Sequence, residues 1–426
     1  MDTSINHLQK IISSVAKALT DFNLKFTDIS AVFGNSFTLF KVKPASGTKV
    51  SSFRKMEDDI AMSLGAQIRI TAMPDCIGIE VPRKNRTPVL LHDCIGDETW
   101  YTEQKYSLPV ILGDDVNNRL HVVDLVTLPH LLVAGATKQG KTAFLRTLMM
   151  SLIFKKKPED LKFILLDPKC TEFKPLEILK NNYLVAIPDG EPDSGEETCI
   201  ATDITQSERT LSALCLEQEK RYELLQKADT REIKSYNDKL KNGKNTLDDG
   251  YYHLPYIVCI CDEYADLLMG ADKARKKSIQ ASIISLAQKG RAVGIHLVIS
   301  TQRPSTDVIT GLIKANFPAR AAFRVASSVD STVILDCPGA EKLSGSGDML
   351  FSTGLDCERI QVPYYSQEEM EDEISKLARD ENGDAPYYLP CVGYVRADRL
   401  MDPGSQWHHW SRPKHRFVLK KSSNDE

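Results

Sequence analysis

Long hydrophobic runs are missing from this sequence. No stretch of its 426 residues approaches the roughly 18 consecutive apolar residues that a membrane-spanning helix needs. Residues 1–26 also lack the charged-then-apolar layout of a secretory signal, because Ile5, Leu8 and Ile12 recur at helical spacing instead. These absences predict a cytoplasmic chain without a membrane segment.

An excess of positive charge is also missing. The chain has 54 lysines and arginines against 58 aspartates and glutamates, which gives a formal net charge of −4. A protein that binds DNA over its whole surface is expected to be basic. Any contact with nucleic acid must therefore be local, as in a lined channel or groove.

The ten cysteines do not form a disulfide or metal-binding pattern. They are scattered, and Cys259 and Cys261 lie inside an apolar strand pattern. Such positions favour buried thiols in a reducing compartment. A Cys-x-Cys metal pair would need a second pair nearby, which the sequence does not offer.

The chain divides into three parts by its patterns. Residues 1–126 read as a smaller α+β domain, with a mostly polar and irregular stretch at 93–107. Residues 127–378 alternate strands with helices, which is typical of a parallel sheet with crossover helices. Residues 379–426 contain several prolines and are expected to be a tail or an arm that docks on the preceding domain. The strand candidates of the middle part are Leu131–Ala134, Phe163–Asp167, Tyr183–Ile187, Tyr256–Cys261, His296–Ser300 and Ala319–Val325.

One segment fits the phosphate-binding pattern G-x-x-x-x-G-K-[ST]. It follows an apolar strand and precedes a helical pattern, which is the context that makes this motif specific. Glycines let backbone N–H groups approach phosphate oxygens, and the start of the helix adds a positive field. The sequence therefore predicts a site for ATP and Mg²⁺, in which Lys141 reaches the β- and γ-phosphates and Thr142 holds the metal. The eight residues are Gly135, Ala136, Thr137, Lys138, Gln139, Gly140, Lys141 and Thr142.

Two later segments supply the remaining groups for hydrolysis. Asp262 and Glu263 end the apolar run 257–261, and two carboxylates in such a place are costly to bury without cations. We expect Asp262 to hold Mg²⁺ through a water, and Glu263 to polarise the water that attacks the γ-phosphate. Gln302 follows the next strand and is placed to touch the γ-phosphate, although a simple turn cap is the alternative.

Taken together, these segments resemble the motor of the FtsK/SpoIIIE family of double-stranded DNA translocases. The likeness is strong over 120–365 and looser over 25–120, where it resembles the family's ring-forming α domain. It implies a RecA-like P-loop ATPase core. The segments that carry it include Leu128–Gly135, Leu166–Lys169, Arg221–Tyr222, Tyr236–Asn237, Leu254–Val258, Thr301–Ser305, Val308–Asn316, Ile334–Asp336, Gly339–Glu341 and Gly347–Leu350.

The resemblance implies a homo-hexameric ring that moves duplex DNA through its pore. Arg291 resembles the family's arginine finger, which reaches across the subunit interface to offset charge on the phosphoryl oxygens. A surface arginine at a helix end is the alternative for Arg291, and Arg320 is the second candidate for the finger. Arg303 and Lys314 resemble pore cations that grip DNA phosphates, unless nearby carboxylates pair with them. Two departures weaken the likeness, because Ser328 and Thr332 stand where the family often has basic residues. Arg324 adds a cation nearby and is the third candidate for DNA binding.

Other functions stay open at this stage. The altered positions also suit a nucleotide-gated coupling or scaffold ATPase of a mobile element, which would recruit a recombinase or another DNA-processing partner and translocate little. A coupling ATPase for single-stranded DNA fits residues 301–316 less well. Family members in chromosome partition carry a membrane anchor and a winged-helix domain, and neither is visible in this sequence.

Overall fold

The computed structural model describes residues 2–83, 86–102, 105–170, 172–189, 196–243, 250–354, 356–379 and 387–389. Within them, no helix combines the length and the apolar character that crossing a membrane requires. Most of the predicted tail, including Pro386, Pro390, Pro403 and Pro413, lies outside the described residues.

The N-terminal unit packs helices on one antiparallel sheet. Its four strands have the order β1-β2-β4-β3. Phe40, Phe53 and Ile79 are fully buried in its own hydrophobic cluster, as expected for a sheet with one face covered. The elements are α1 (Asp2–Asp21), β1 (Phe26–Phe33), β2 (Phe37–Pro44), α2 (Val50–Lys55), α3 (Glu57–Leu64), β3 (Arg69–Ala72) and β4 (Ile77–Pro82).

The rest of the chain is built on a ten-stranded sheet. Its strands are β5 (Pro109–Asp115), β6 (Leu120–Asp124), β7 (His130–Ala134), β8 (Leu161–Leu166), β11 (Ile200–Ala201), β12 (Tyr256–Cys261), β13 (Ile295–Thr301), β14 (Ala319–Phe323), β15 (Asp348–Ser352) and β16 (Cys357–Gln361).

The strand order is β11-β8-β12-β13-β7-β14-β15-β16-β5-β6. The pairs from β11 to β14 are parallel, and those from β14 to β6 are antiparallel. Every residue of β7, β8, β12 and β13 is buried, because helices cover both faces of a parallel sheet. The predicted α/β class with a mostly parallel sheet is confirmed.

Among the described residues from 141 to 379, eight α-helices accompany this sheet. The phosphate loop leads into α6, which is apolar on nearly all sides and therefore buried. Asp203 caps α7 by accepting a hydrogen bond from Gln206 N at 2.9 Å. The helices are α6 (Lys141–Lys155), α7 (Ile204–Lys227), α8 (Ile233–Lys241), α9 (Tyr264–Met269), α10 (Lys273–Lys289), α11 (Gly311–Asn316), α12 (Ser328–Leu335) and α13 (Gln367–Arg379).

Two features of residues 86–126 differ from the prediction. Residues 109–124 lie in the stretch that the sequence assigned to the N-terminal domain, but they form β5 and β6 of the large sheet, where Ile360 of β16 is opposite Asp115. The stretch at 93–107 was expected to be irregular, yet it contains α4 (Leu91–Gly96) and α5 (Glu98–Thr102). Trp100 is only 2% exposed and anchors α5. Both differences come from contacts between residues distant in sequence, which local polarity does not reveal.

A short part of the predicted tail docks on the large domain. The strand β17 (Tyr387–Tyr388) pairs in parallel with β9 (Val185–Asp189), which also pairs with β10 (Glu196–Thr198). The Tyr387 hydroxyl donates to Glu217 Oε1 at 2.6 Å and accepts from the buried Arg221. Tyr387 and Tyr388 thus contact the large domain, and whether residues 379–426 form a tail or a docking arm stays a prediction.

Buried ion pairs join the N-terminal unit to the large domain. The Arg359 guanidinium donates to Glu80 Oε2 and to Asp348 Oδ2, both at 2.7 Å. Arg69 completes the group by donating to the other oxygen of Glu80 at 3.2 Å. Arg359 and both carboxylates are at most 4% exposed. Such a fully paired cluster fixes the orientation of β4 relative to β15 and β16.

Candidate nucleotide site

The phosphate loop owes its shape to two close backbone approaches. A Cβ on Gly135 would lie 2.5 Å from Phe323 Cβ, and one on Gly140 would lie 2.6 Å from Gly347 Cα. Gly140 also has a φ of 118°, a conformation that residues with side chains rarely adopt. Residues 135–140 therefore wrap closely over β14 and the loop 344–347, and the loop is fixed before α6 begins at Lys141.

Lys141 is directed at the end of β12. Its Nζ donates to the Asp262 carbonyl at 2.8 Å and lies 3.4 Å from Asp262 Oδ1 and 3.7 Å from Glu263 Oε2. The Lys141 side chain is only 4% exposed. The predicted lysine and the predicted acid pair thus form one buried cluster of opposite charges.

Asp262 has an oxygen available for a ligand. Its Oδ1 is buried and accepts no hydrogen bond within the described part of the chain. Burial raises the pKa of Asp262, although the nearby Lys141 ammonium works in the opposite direction. The buried Asp262 carboxylate and the Thr142 hydroxyl are both oxygen donors of the hard type that Mg²⁺ prefers. The residues present therefore fit the predicted metal.

Glu263 is held rigidly by the end of β13. The Thr301 hydroxyl donates to Glu263 Oε1 at 2.6 Å, and Gln302 N donates to Oε2 at 2.9 Å. These bonds occupy both carboxylate oxygens and define the direction of the side chain. An oriented carboxylate of this kind can align a water molecule for attack.

Gln302 also contacts the phosphate loop. The Thr137 hydroxyl donates to Gln302 Oε1 at 2.7 Å. The side chain of Gln302 thus bridges the end of β13 and the loop that follows β7, which are neighbouring strands. This bridge places the Gln302 side chain against the phosphate loop, and its contact with the γ-phosphate stays a prediction.

Sequence reasoning missed Glu172 and Lys169, which lie in the loop after β8. Glu172 Oε1 accepts a hydrogen bond from the Thr142 hydroxyl at 3.2 Å. Burial and the negative charge of Asp262 raise the pKa of Glu172. Lys169 Nζ lies 3.1 Å from Asp266 Oδ2 and 4.0 Å from Glu263 Oε2. The only signal in the sequence was the Asp-Pro-Lys resemblance at 167–169, which gave no role to either side chain.

Arg291 lies at the opposite end of the sheet. It belongs to a 3₁₀ turn, Gly290–Val293, that precedes β13, whereas the phosphate loop is beside the other end of that strand. Seven residues of strand separate the two ends, or about 20 Å at roughly 3.3 Å per residue. The Arg291 side chain is exposed and makes no hydrogen bond or ion pair with a described residue. Its role in another subunit's site stays a prediction.

The three predicted DNA-binding residues do not form one cluster. Arg303 and Arg324 are exposed near the nucleotide end, where the Arg324 carbonyl accepts a hydrogen bond from Ala136 N at 2.9 Å. Lys314 instead forms an ion pair with Asp336, which also binds Arg320 near the start of β14. Lys314 is therefore partly neutralised by a carboxylate, and Arg303 is the more accessible cation.

The large sheet, the phosphate loop and the buried acid pair define a P-loop ATPase fold. Residues 91–306 match the model of the FtsK/SpoIIIE family, and residues 2–83 match the FtsK alpha domain. The chain belongs to the FtsK/SpoIIIE family.

Curated relatives agree with this family. The chain is 40% identical over 373 residues to DNA translocase FtsK of Chlorobaculum tepidum. The aligned region covers 86% of this chain and 44% of that protein. It is 39% identical over 381 residues to DNA translocase FtsK of Clostridium tetani, with 88% and 48% covered. The chain thus spans less than half the length of these two relatives.

Solved structures share the fold. The pCW3 conjugation coupling protein TcpA, a monomer with ATPγS, has a TM-score of 0.58 at 23% identity over 87% of this chain and 100% of its own. The cytoplasmic domain of the type VII secretion ATPase EccC from Thermomonospora curvata has a TM-score of 0.57 at 21% identity, covering 71% of this chain and 36% of its own. At such identities the likeness concerns the fold alone.

Proposed function

We propose that this chain hydrolyses ATP with Mg²⁺ and uses the energy to move double-stranded DNA through a ring of six copies. The family and the relatives named DNA translocase FtsK support the substrate and the activity. A reducing cytoplasm is the setting that this function requires, because duplex DNA and ATP are available there.

The observation that carries the proposal is the distribution of charged groups over the sheet. Lys141, Asp262, Glu263 and Gln302 converge beside the phosphate loop, and their contacts link β7, β12 and β13. Arg291 lies about 20 Å away, at the other end of β13, and is exposed. Packing of copies side by side would bring the exposed Arg291 of one chain to the phosphate loop of another.

The chain's own residues have separate tasks in hydrolysis. Thr142 and Asp262 would hold Mg²⁺, Asp262 through a water, and the ion would supply positive charge to the phosphates. Lys141 exchanges its bond to the Asp262 carbonyl for the β- and γ-phosphates. Glu263 orients the attacking water, because Thr301 and Gln302 N fix both of its oxygens. Gln302 contacts the γ-phosphate, and its hydrogen bond to Thr137 couples that contact to the phosphate loop.

The first experiment measures ATP hydrolysis with long duplex DNA, with single-stranded DNA and without DNA. We expect strong stimulation by the duplex only, and loss of hydrolysis by about 10²–10³-fold in Lys141→Ala, because a preorganised cation on the phosphates is removed. Hydrolysis that is indifferent to duplex DNA would overturn the translocase function. Stimulation by single strands alone would favour a coupling ATPase for single-stranded DNA.

A second function is favoured by the surroundings of Lys314. Lys314 and Asp336 line a cavity of about 480 Å³ together with the uncharged Ser328 and Thr332. A cation neutralised by Asp336 and flanked by hydroxyls grips DNA phosphates weakly. The chain would then be a nucleotide-gated coupling or scaffold ATPase that recruits a recombinase or another DNA-processing protein.

Displacement of streptavidin from a biotinylated duplex separates these two functions. A motor strips the streptavidin in the presence of ATP, and Lys141→Ala provides the control that binds DNA without moving. A scaffold leaves the streptavidin in place although ATP is hydrolysed. Release by the wild type but not by Lys141→Ala would exclude the scaffold function.

A further inference from the structure

Glu172 has a contact with the phosphate-binding helix that the known motif does not explain. Its Oε1 accepts a hydrogen bond from the hydroxyl of Thr142 at 3.2 Å. Its Oε2 lies 3.5 Å from Arg146 Nη2, one turn further along α6. The Glu172 side chain is 25% exposed, so the carboxylate lies between α6 and the loop after β8 rather than in open solvent.

The loop that carries Glu172 is itself held in place. Asp167 is 1% exposed, and its Oδ2 accepts hydrogen bonds from Glu172 N at 2.9 Å and Phe173 N at 3.1 Å. Next to it, Asp262 N donates to the Leu166 carbonyl at 3.1 Å. The backbone at Glu172 is therefore tied to the same strand end that carries the acid pair. The Glu172 carboxylate therefore contacts Thr142 from a backbone position that is held by hydrogen bonds.

A hydroxyl group has one proton to donate and two lone pairs to offer. A metal ion needs a lone pair of Thr142 Oγ1, and the proton must then point elsewhere. In the structure that proton has an acceptor, Glu172 Oε1. Arg146 engages the other Glu172 oxygen and so limits rotation of the carboxylate.

We propose that Glu172 is a positioning residue that takes the hydroxyl proton of Thr142, so that a lone pair of Thr142 Oγ1 faces Mg²⁺. Groups that orient a metal ligand in this way strengthen metal binding without touching the metal. This inference rests on the proposed function, because it requires a nucleotide–Mg²⁺ complex at the phosphate loop. It adds a residue outside the phosphate loop and the acid pair to the determinants of metal affinity.

The test measures metal affinity rather than activity. The full chain is incubated with a fluorescent N-methylanthraniloyl derivative of ATP, and Mg²⁺ is titrated while binding is followed by fluorescence. In Glu172→Ala the Mg²⁺ concentration for half-maximal binding should rise on the order of tenfold, the usual effect of losing a group that orients a metal ligand. Binding of the analogue in excess EDTA should not change.

A conservative variant identifies the mechanism. Glu172→Gln keeps a carbonyl oxygen that accepts the hydroxyl proton but removes the charge, so we expect a shift of at most about twofold. If Glu172→Gln is as impaired as Glu172→Ala, the residue acts by its charge and the positioning role is overturned. Glu177→Ala is the matched control, because Glu177 is exposed in the 3₁₀ helix Lys174–Leu179 that follows.

Two further measurements keep the result unambiguous. The melting temperature without nucleotide shows whether Glu172→Ala folds. If that variant does not fold, Glu172→Leu replaces it, because leucine retains the side-chain volume but has no hydrogen-bond acceptor. Suppose that the wild type binds the analogue with Mg²⁺ and hydrolyses ATP. If the variant without an acceptor, Glu172→Ala or Glu172→Leu, then shows an unchanged Mg²⁺ dependence, the positioning role of Glu172 is overturned while the proposed function stands. A wild type that does neither would instead refute the proposed function.

Discussion

The two ends of the parallel strands are chemically opposite. At the end that carries the phosphate loop, Lys141, Asp262 and Glu263 are at most 4% exposed and contact one another. At the other end, Arg291 is exposed and has no ion-pair partner among the residues that the structure describes. The cluster of Lys141, Asp262 and Glu263 is paired within the chain, whereas the Arg291 side chain is not.

This difference indicates which groups have their partners inside the chain. A buried charge has to be paired where it lies, since desolvation without compensation costs several kcal/mol. An exposed arginine is solvated and carries no such requirement, so it is free to meet a charge that arrives from outside. The contrast is the physical basis for proposing that the nucleotide end is preassembled and the Arg291 end awaits a second copy.

The largest effect is expected from removing the exposed arginine. Arg291→Ala should lower duplex-stimulated ATP hydrolysis by about 10³–10⁵-fold, the range for loss of an arginine supplied from a neighbouring subunit. Nucleotide affinity should change far less than turnover, because such an arginine acts mainly on charge that develops in the transition state. ATP turnover and binding of a fluorescent nucleotide measure the two quantities.

A mixing experiment sharpens this result. Arg291→Ala and Lys141→Ala chains, each inactive alone, should regain part of the activity when combined, because some interfaces then unite an intact loop with an intact arginine. Arg231→Ala is the control, since Arg231 is also exposed. If Arg291→Ala retains the ATP hydrolysis of the wild type, Arg291 does not act in a neighbouring subunit's site, and the proposed difference between the two ends is contradicted.

The next effect concerns the domain junction behind the nucleotide end. Arg359 donates to Ser344 Oγ at 3.3 Å, and the loop 344–347 reaches the phosphate loop, where Gly347 N donates to the Gln139 carbonyl at 3.0 Å. Arg359→Met leaves Asp348 buried without its cation and Glu80 with Arg69 alone, which should lower the free energy of unfolding by about 3–5 kcal/mol. Urea unfolding measures this change.

A surface pair provides the comparison for that variant. Lys376 and Glu373 form an ion pair on α13 in which the lysine is 68% exposed. Lys376→Met should alter stability by less than about 1 kcal/mol, as usual for a solvated pair. If Arg359→Met and Lys376→Met lowered the free energy of unfolding equally, the buried ion pairs at the domain junction would contribute no more to stability than a surface pair.

The smallest effects are expected for DNA affinity. Arg303→Ala should weaken binding to duplexes of any sequence and reduce the slope of log affinity against log salt by about 1, as for the loss of one phosphate contact. Lys314→Ala should change both by much less, because Asp336 already neutralises Lys314. Fluorescence anisotropy at several salt concentrations measures both variants. A larger loss for Lys314 would mean that DNA displaces Asp336.

The sequence by itself determined those features of the fold and site that are encoded in consecutive residues. The order of strand, glycine loop and helix at 131–153 and the acid pair after an apolar run were predictable, because consecutive residues carry both the fold and the chemistry there. The mostly parallel sheet followed from alternating strands and helices for the same reason.

Only the tertiary structure decided which distant groups meet. Pairing of β5 with β16, the Thr142–Glu172 hydrogen bond, the Lys314–Asp336 ion pair and the Glu80–Arg359 junction each join residues that no local pattern connects. Strand pairing is set by packing against partners far along the chain, and a charged residue shows in sequence its sign but not its partner. For this reason Lys141 could be identified from its motif, whereas Glu172 became visible only in three dimensions.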